Sequence, residues 1–303
     1  MGKVIVVVGP TATGKTDLAV SICKKFNGEI ISVDSRQAYR EMNIGTGKSL
    51  GDGSIPIHLY DLVNPTERLN AYDYATYAWE KIEDFWSRGK LPFLVGGTGF
   101  YMDVILGHRI LSGVGVDPKL RVGLEALSKE ELAKRLSALD PQKLKTIDIH
   151  NKYRLVRAIE VLMQTKNSKT RDKSESPKVK IGGDWESLTI GLTSESSYLY
   201  NRADQRVNSM VEAGLVNEVK GLVKKYGWEV PGLNALGYRE LKPYLESSIQ
   251  LSEAVKKLKY DTHAYIRRQK TYFKKYFSSA YWFDISKPRF EEEVKSKVNL
   301  FLR

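Results

Sequence analysis

Val4-Ile5-Val6-Val7-Val8-Gly9-Pro10-Thr11-Ala12-Thr13-Gly14-Lys15-Thr16 is a short β-branched strand that opens into G-x-x-x-x-G-K-T, the pattern of a phosphate-cradling P-loop. Glycines at positions 9 and 14 let backbone N–H groups converge on phosphate oxygens, and the helix that follows offers its positive N-terminal end. Lys15 adds a point charge, and the Thr16 hydroxyl suits Mg²⁺. Residues 9–16 are therefore the expected phosphate site, for a ligand bearing a di- or triphosphate.

Working outward, 303 residues with 42% hydrophobic content can bury a substantial core, as one large domain or as a core with an insertion. The one cysteine, Cys23, excludes an internal disulfide framework and fits a reducing compartment. No apolar run approaches the roughly 20 residues of a membrane span, and Val4–Val8 is too short for a signal-peptide core. A cytoplasmic protein without a membrane partner is expected, with a monomer as the default. The net charge of +12 favours a polyanionic partner, because neutralised phosphates release counterions.

The first hundred residues alternate strand-like runs with helical stretches: Val4–Val8, a helix from about Lys15, Glu29–Val33, a helix through Tyr74–Trp86, then Leu91–Val95. The fold class read from this is α/β, a P-loop NTPase-like parallel sheet flanked by helices. Ligands sit beyond the carboxyl ends of such strands, so the P-loop, Asp34–Gln37 and Gly96–Gly99 should converge on one crevice. Residues 113–188 read as a helical insertion, leaving 1–112 and 189–303 as the catalytic core. Within the insertion, Ser128-x-x-Glu131 forms a capping box ahead of Leu132, Leu136 and Leu139, and a second helix runs from about Asn151 to Met163. Asn167–Lys180 is polar and reads as a loop, and Thr189–Leu192 as the return to the sheet. The remaining third is helical, with Gly214 as a stop and Ser252 as the cap of a long last helix. That helix interleaves lysines and arginines with Tyr260, Tyr265, Tyr272, Phe273, Tyr276 and Phe277. Two readings stay open for it: phosphate contact with base stacking, or an amphipathic helix with aromatic core and solvated lysines.

An ATP-hydrolysing P-loop protein usually has a strand ending in an acid that helps hold Mg²⁺, yet Leu91–Val95 ends in Gly96-Gly97-Thr98. The acid arrives earlier, as Asp34, where it could act as a general base or serve only as a turn or helix cap.

Val33-Asp34-Ser35-Arg36-Gln37-Ala38-Tyr39, Met42–Lys48, His58–Pro65, Leu94–Tyr101, Arg154–Val161, Gly237-Tyr238-Arg239 and Arg267-Arg268-Gln269 resemble, in order and spacing, the tRNA dimethylallyltransferase family. The resemblance covers about residues 4–277. It implies transfer of a dimethylallyl group from dimethylallyl pyrophosphate to N6 of the adenosine 3′ of the anticodon in certain tRNAs, with Mg²⁺ and without ATP hydrolysis. By resemblance Asp34 takes the amine proton, Thr98 lies beside the reacting centre, and Lys15 and Arg206 hold the pyrophosphate. Arg202 is one helical turn from Arg206. The resemblance places tRNA contacts at Asp34, Ser35, Arg36, Gln37, Thr98 and Arg121. It adds Tyr153, Arg154, Leu155, Val156 and Arg157, then Asn234, Ala235, Leu236, Gly237, Tyr238 and Arg239. Arg154 and Arg157, at i and i+3, can share an exposed face while Leu155, Ile159 and Leu162 pack inward. The chain departs from the family pattern at Thr13, where serine is frequent, and at Tyr153, where glutamine is common. Three rivals remain: an adenylate isopentenyltransferase acting on free nucleotides, a small-molecule kinase using ATP, and an RNA-binding protein with a vestigial P-loop.

Overall fold

Val4–Val8 are fully buried, as a strand tolerates only inside a sheet covered on both faces. A computed structural model describes residues 2–49, 53–109, 114–167 and 185–303. In chain order the elements begin with β1 (Gly2–Val8), α1 (Lys15–Phe26), β2 (Gly28–Ser32), β3 (Ile57–His58), α2 (Ala71–Ser87), β4 (Leu91–Gly96) and α3 (Gly99–Ile105). Four helices follow: α4 (Pro118–Glu125), α5 (Lys129–Leu139), α6 (Pro141–Thr146) and α7 (Lys152–Asn167). The chain then returns through β5 (Trp185–Thr193), α8 (Ser196–Glu212), α9 (Leu215–Tyr226), α10 (Lys242–Leu245), α11 (Leu251–Tyr276), β6 (Tyr281–Asp284) and α12 (Phe290–Leu302).

Among the described residues, six strands form one sheet in the order β3-β2-β4-β1-β5-β6, and every pairing is parallel. This is an α/β P-loop-like fold. Central β1 pairs with β4 through Val8↔Gly96 and with β5 from Gly2↔Trp185 to Val8↔Gly191. The loops after β1, β2 and β4 therefore leave the sheet side by side at its carboxyl edge. Gly96 is obligatory there, because a Cβ on it would lie 1.9 Å from the Val33 carbonyl oxygen.

The chain divides into two compact units, Met1–Arg109 with Ile181–Arg303, and Ile110–Lys180. In the first, Leu18 and Ile22 of α1, Ile5 and Val7 of β1, Ile190 of β5, Ile266 of α11 and Val294 of α12 belong to one buried cluster. Each such aliphatic side chain stabilises the fold by roughly 1.5–3 kcal/mol. A second cluster, with Met42, Val207, Val219, Leu241 and Leu258, packs α8, α9 and α11 together. The Ile110–Lys180 unit has its own core of Leu124, Leu132, Leu136, Leu155, Val156 and Ile159. Its α5 opens with the capping box, in which the Glu131 N–H donates to Ser128 Oγ at 3.2 Å and the Ser128 N–H to Glu131 Oε2 at 2.7 Å.

Three boundaries differ from the sequence reading, and one is the second helix of the insertion, which runs on to Asn167, read as the first residue of a loop, instead of ending at about Met163. The strand expected at Thr189–Leu192 begins at Trp185, so residues 185–188 belong to the sheet and not to the insertion; exposed Glu186 and Ser187 mask that start. Trp185 settles it by packing against the rings of Trp79 and Trp86, at 5.1 and 5.5 Å between centroids. The long helix starts one residue before Ser252 and is capped by Gln250 with Glu253, and it is followed by β6 and α12. The loop reading for residues 168–180 lies outside the described residues.

Candidate active site

The loop between β1 and α1 turns through positive φ at Gly9, Ala12 and Gly14 (149°, 66° and 77°), a left-handed backbone that Ala12 adopts only under constraint. The Thr13 hydroxyl donates to the Pro10 carbonyl at 2.8 Å, and Lys15 Nζ donates to the same oxygen at 2.7 Å. From α8, Arg202 Nε donates to the Ala12 carbonyl at 2.8 Å. One turn on, Arg206 Nη2 reaches the Gly47 carbonyl at 3.5 Å. These two arginines thus face the loop and its neighbour, and among the described residues neither forms a surface ion pair.

Asp34 follows the buried end of β2, and its Oδ1 accepts the Arg36 N–H at 2.8 Å, so it caps its own turn. Thr98, at the end of β4, accepts the Ser35 N–H on its hydroxyl at 3.2 Å, while its own N–H donates to the Val33 carbonyl at 3.3 Å. Gln37 is a brace: its amide accepts from the Ser32 hydroxyl at 2.7 Å and donates to the Thr46 and Gly47 carbonyls at 3.3 and 3.1 Å. Gln269 ties these loops to α11. Its side chain accepts the Thr11 N–H and donates to the Gly97 carbonyl, both at 2.9 Å.

A cavity of 390 Å³, within the usual range of small-molecule sites, is lined by Thr11, Asp34, Ser35, Thr98 and Arg206, with Arg36, Arg239 and Arg268 adding positive charge. Lys15 faces the P-loop backbone beside Arg206 and Asp34. Desolvation, reinforced by repulsion from Arg206 and opposed by Asp34, lowers its pKa to about 7. Burial lowers that of Arg206 as well, against the pull of Asp34, Asp17 and Tyr60. A cluster of cations held without an equal number of anions is a site made for an anion.

The segment Asn234–Arg239 alternates. Asn234, Leu236, Gly237 and Arg239 line the cavity, whereas Ala235 and Tyr238 are buried in the core. The Tyr238 hydroxyl donates to Glu218 at 2.7 Å, and its ring packs against Gly45. Tyr238 and Ala235 are therefore corrected from RNA-facing to structural side chains.

In the Ile110–Lys180 unit the expected contact run Tyr153–Arg157 also splits. Leu155 and Val156 lie in that unit's core, so their side chains offer no surface. Glu160, fully buried, accepts from Arg121 Nη2 at 2.9 Å and from Arg157 Nη1 at 2.6 Å, and its other oxygen accepts the Asp117 N–H at 3.0 Å. Arg157 also donates to the Val114 and Gly115 carbonyls. Arg121 is thus a buried brace, and half-buried Arg157 is tied to Glu160 and the 114–115 carbonyls, so the pairing of Arg154 with Arg157 on one free face is corrected. Tyr153 and Arg154 remain exposed; the nearest acid to Arg154 is Asp148 at 3.8 Å.

Two further residues carried no role in the sequence reading. Gln269 lies among Arg267, Arg268 and Lys270, and a glutamine buried in so basic a stretch is itself a signal. Glu218 accepts the N–H groups of Asn43, Ile44 and Gly45 at 2.9, 2.8 and 3.0 Å; its partners are too distant in sequence for any local pattern to show it.

The IPP transferase family model matches residues 37–276, most of the chain. The chain belongs to the IPP transferase family. An isopentenyl transferase model also matches residues 2–53, the part that carries the P-loop and Asp34. Among IPP transferase relatives, the chain is 42% identical over 282 residues to a tRNA dimethylallyltransferase of Roseiflexus sp. (strain RS-1), covering 91% of each. Its fold is similar to the crystal structure of a tRNA isopentenylpyrophosphate transferase from Bacillus halodurans, with a TM-score of 0.73, 34% identity, and coverage of 99% of this chain and 96% of that one. It is also similar to a eukaryotic dimethylallyltransferase acting on tRNA, with a TM-score of 0.79 and 26% identity over 94% of this chain and 74% of that one.

Proposed function

We propose that the chain transfers a dimethylallyl group from dimethylallyl pyrophosphate to N6 of the adenosine 3′ of the anticodon in tRNA and releases pyrophosphate. The convergence of Asp34, Thr98 and Arg206 on one cavity beside the P-loop carries this reading. The bond from N6 to the allylic carbon forms as the bond from that carbon to the pyrophosphate oxygen breaks. The electron pair of the broken bond leaves with pyrophosphate, and the amine proton passes to the Asp34 carboxylate. Adenine N6 is a weak nucleophile, so the work lies in holding the leaving group and in positioning. Lys15, Arg206 and the P-loop amides hold the pyrophosphate, and Thr98 and Asp34 flank the amine.

Among the described residues no group of three or more His, Cys, Asp or Glu side chains gathers as a metal cluster. The Thr16 hydroxyl, which follows Lys15 at the start of α1, is an oxygen donor that fits Mg²⁺ and would hold it with phosphate and water completing the shell. When bound, the ion adds charge neutralisation at the leaving group. The net charge of +12 and the arginines lining the cavity suit a polynucleotide acceptor, whose target base must leave its stack to enter.

The test is incubation with Mg²⁺, labelled dimethylallyl pyrophosphate and unmodified tRNA, with AMP and ATP-only reactions in parallel, followed by mass spectrometry of the nucleosides. Prenylated adenosine from tRNA alone is expected. Labelled AMP would assign a free-nucleotide enzyme, ATP consumption without transfer a kinase, and no turnover a binding protein. Among the described residues no helix is long and apolar enough to cross a membrane.

A further inference from the structure

Gly45 and Thr46 line the cavity from a loop whose two ends are each held by a saturated charge. At one end stands Glu218, in the first turn of α9, a helix that contributes nothing to the cavity lining itself. Its Oε2 accepts the Asn43 and Ile44 N–H groups at 2.9 and 2.8 Å, and its Oε1 accepts the Gly45 N–H at 3.0 Å and the Tyr238 hydroxyl at 2.7 Å. Only an ionised carboxylate takes four donors in this way, because a glutamine amide would turn its own donors against two of them. At the other end the buried Lys48 ammonium donates to the Tyr39 carbonyl, Asn43 Oδ1 and Asp61 Oδ1 at 2.6, 3.1 and 2.7 Å, which uses all three of its donors. Between these ends the Gln37 amide holds the Thr46 and Gly47 carbonyls.

The loop fixed in this way is in close contact at two points. A Cβ on Gly45 would lie 2.5 Å from the Tyr238 ring, and one on Gly47 would lie 1.7 Å from Arg206 Nη2. The ring that Glu218 ties down by its hydroxyl thus backs the loop at Gly45, and the Arg206 guanidinium lies against the loop at Gly47, its Nη2 3.5 Å from the carbonyl. Among the described residues that carbonyl is the one hydrogen-bond acceptor the guanidinium meets, and no acid lies within ion-pair distance of it. We infer that Glu218 is a positioning residue of the leaving-group clamp: it fixes the 43–47 loop, and the loop fixes the Arg206 guanidinium that meets pyrophosphate. The inference rests on the prenyl-transfer reading above and concerns the same site. A misplacement of about 1 Å in such a clamp costs up to 10²-fold in rate.

The experiment measures binding of inorganic pyrophosphate with Mg²⁺ by titration calorimetry, and dimethylallyl transfer to tRNA, in wild type, Glu218→Gln, Glu218→Asp and Leu222→Ala, each alone and combined with Arg206→Ala. Glu218→Gln is expected to weaken pyrophosphate binding and to raise KM for the donor, each at least tenfold. In the Arg206→Ala background the same change is expected to weaken binding less than twofold, since its effect passes through the guanidinium. Glu218→Asp keeps all four acceptor sites but draws them back by about 1.5 Å, one bond length, and is expected to lose at least threefold. It keeps the test decisive if Glu218→Gln does not fold. Leu222→Ala, which hollows the same helix's core one turn away, is expected to lower the melting temperature while holding pyrophosphate affinity within twofold of wild type. Glu218 variants that bind pyrophosphate as wild type does, that lose as much without Arg206 as with it, or that lose no more than Leu222→Ala would overturn the inference. A wild type that binds pyrophosphate yet transfers no prenyl group would overturn the prenyl-transfer reading alone, with the calorimetry still deciding whether Glu218 supports the clamp.

Discussion

Asp34 has two roles in the structure, and they separate experimentally. Its Oδ1 holds the turn through the Arg36 N–H, which asparagine reproduces, while only a carboxylate accepts the amine proton. Asp34→Asn is therefore expected to keep KM for the donor and lower kcat by about 10²–10⁴-fold, measured in steady state with tRNA saturating. Lys15 supplies a second prediction. Its pKa of about 7 in the ligand-free chain means that much of the population is neutral at pH 8. Pyrophosphate favours the ammonium and raises that pKa, so binding takes up a proton. Titration calorimetry at pH 8 in buffers of different ionisation enthalpy should show net uptake that vanishes below about pH 6 and is absent in Lys15→Met. For stability the sign is fixed too: a lysine depressed on folding destabilises while protonated, so its penalty is full below about pH 7 and disappears as pH rises toward its unfolded value.

Elements carry the site through a few buried polar side chains. Gln269 on α11 joins the P-loop at Thr11 to the Gly97 carbonyl just ahead of Thr98. Gln269→Leu leaves both groups unpaired, a cost of about 1–3 kcal/mol. Loosening the loops should also lower kcat by roughly 10²-fold; thermal unfolding and single-turnover transfer measure the two effects separately. In the Ile110–Lys180 unit the Arg121–Glu160–Arg157 triad is the vulnerable point. Glu160→Leu strands Arg121 in the core and is expected to cost about 3–5 kcal/mol, seen as faster hydrogen exchange of α4 and α7 amides. Glu160 was not legible as a support in the sequence. Glu160 reads there as one acid on an amphipathic helix, because its partners Arg121 and Asp117 are set by packing about forty residues away.

Across the whole molecule, the sheet was readable because parallel strands buried on both faces carry unbroken apolar runs, as in Val4–Val8 and Leu91–Val95. The edge strands β3 and β6 were missed because at two and four residues they are too short to show a pattern. The site was readable where chemistry follows a strand, at Lys15, Asp34 and Thr98. It was not where contact depends on side-chain direction, which buries Leu155, Val156, Ala235 and Tyr238 within runs that read as surface. On α11 the aromatic-core reading holds at Phe273, with Phe277 buried just past its end, while Tyr260 is exposed and Tyr265 and Arg268 line the cavity. With +12 net charge, tRNA affinity should fall steeply with salt. Alanine at Arg36, Arg239 or Arg268 should each reduce the slope of log K against log salt by about one where that residue meets a phosphate, as filter binding across a salt series would show.

The pairing of β1 with β5 joins Gly2 to Trp185, across the whole of the inserted unit. During synthesis, then, the valine-rich flank of β1 that will receive β5 stays an open edge while well over a hundred further residues are added. Arg206 and Gln269 emerge later still. The nascent chain thus carries its phosphate-binding motif from the start but gains a working pocket only near the end, and its early half is the stage most in need of chaperone protection.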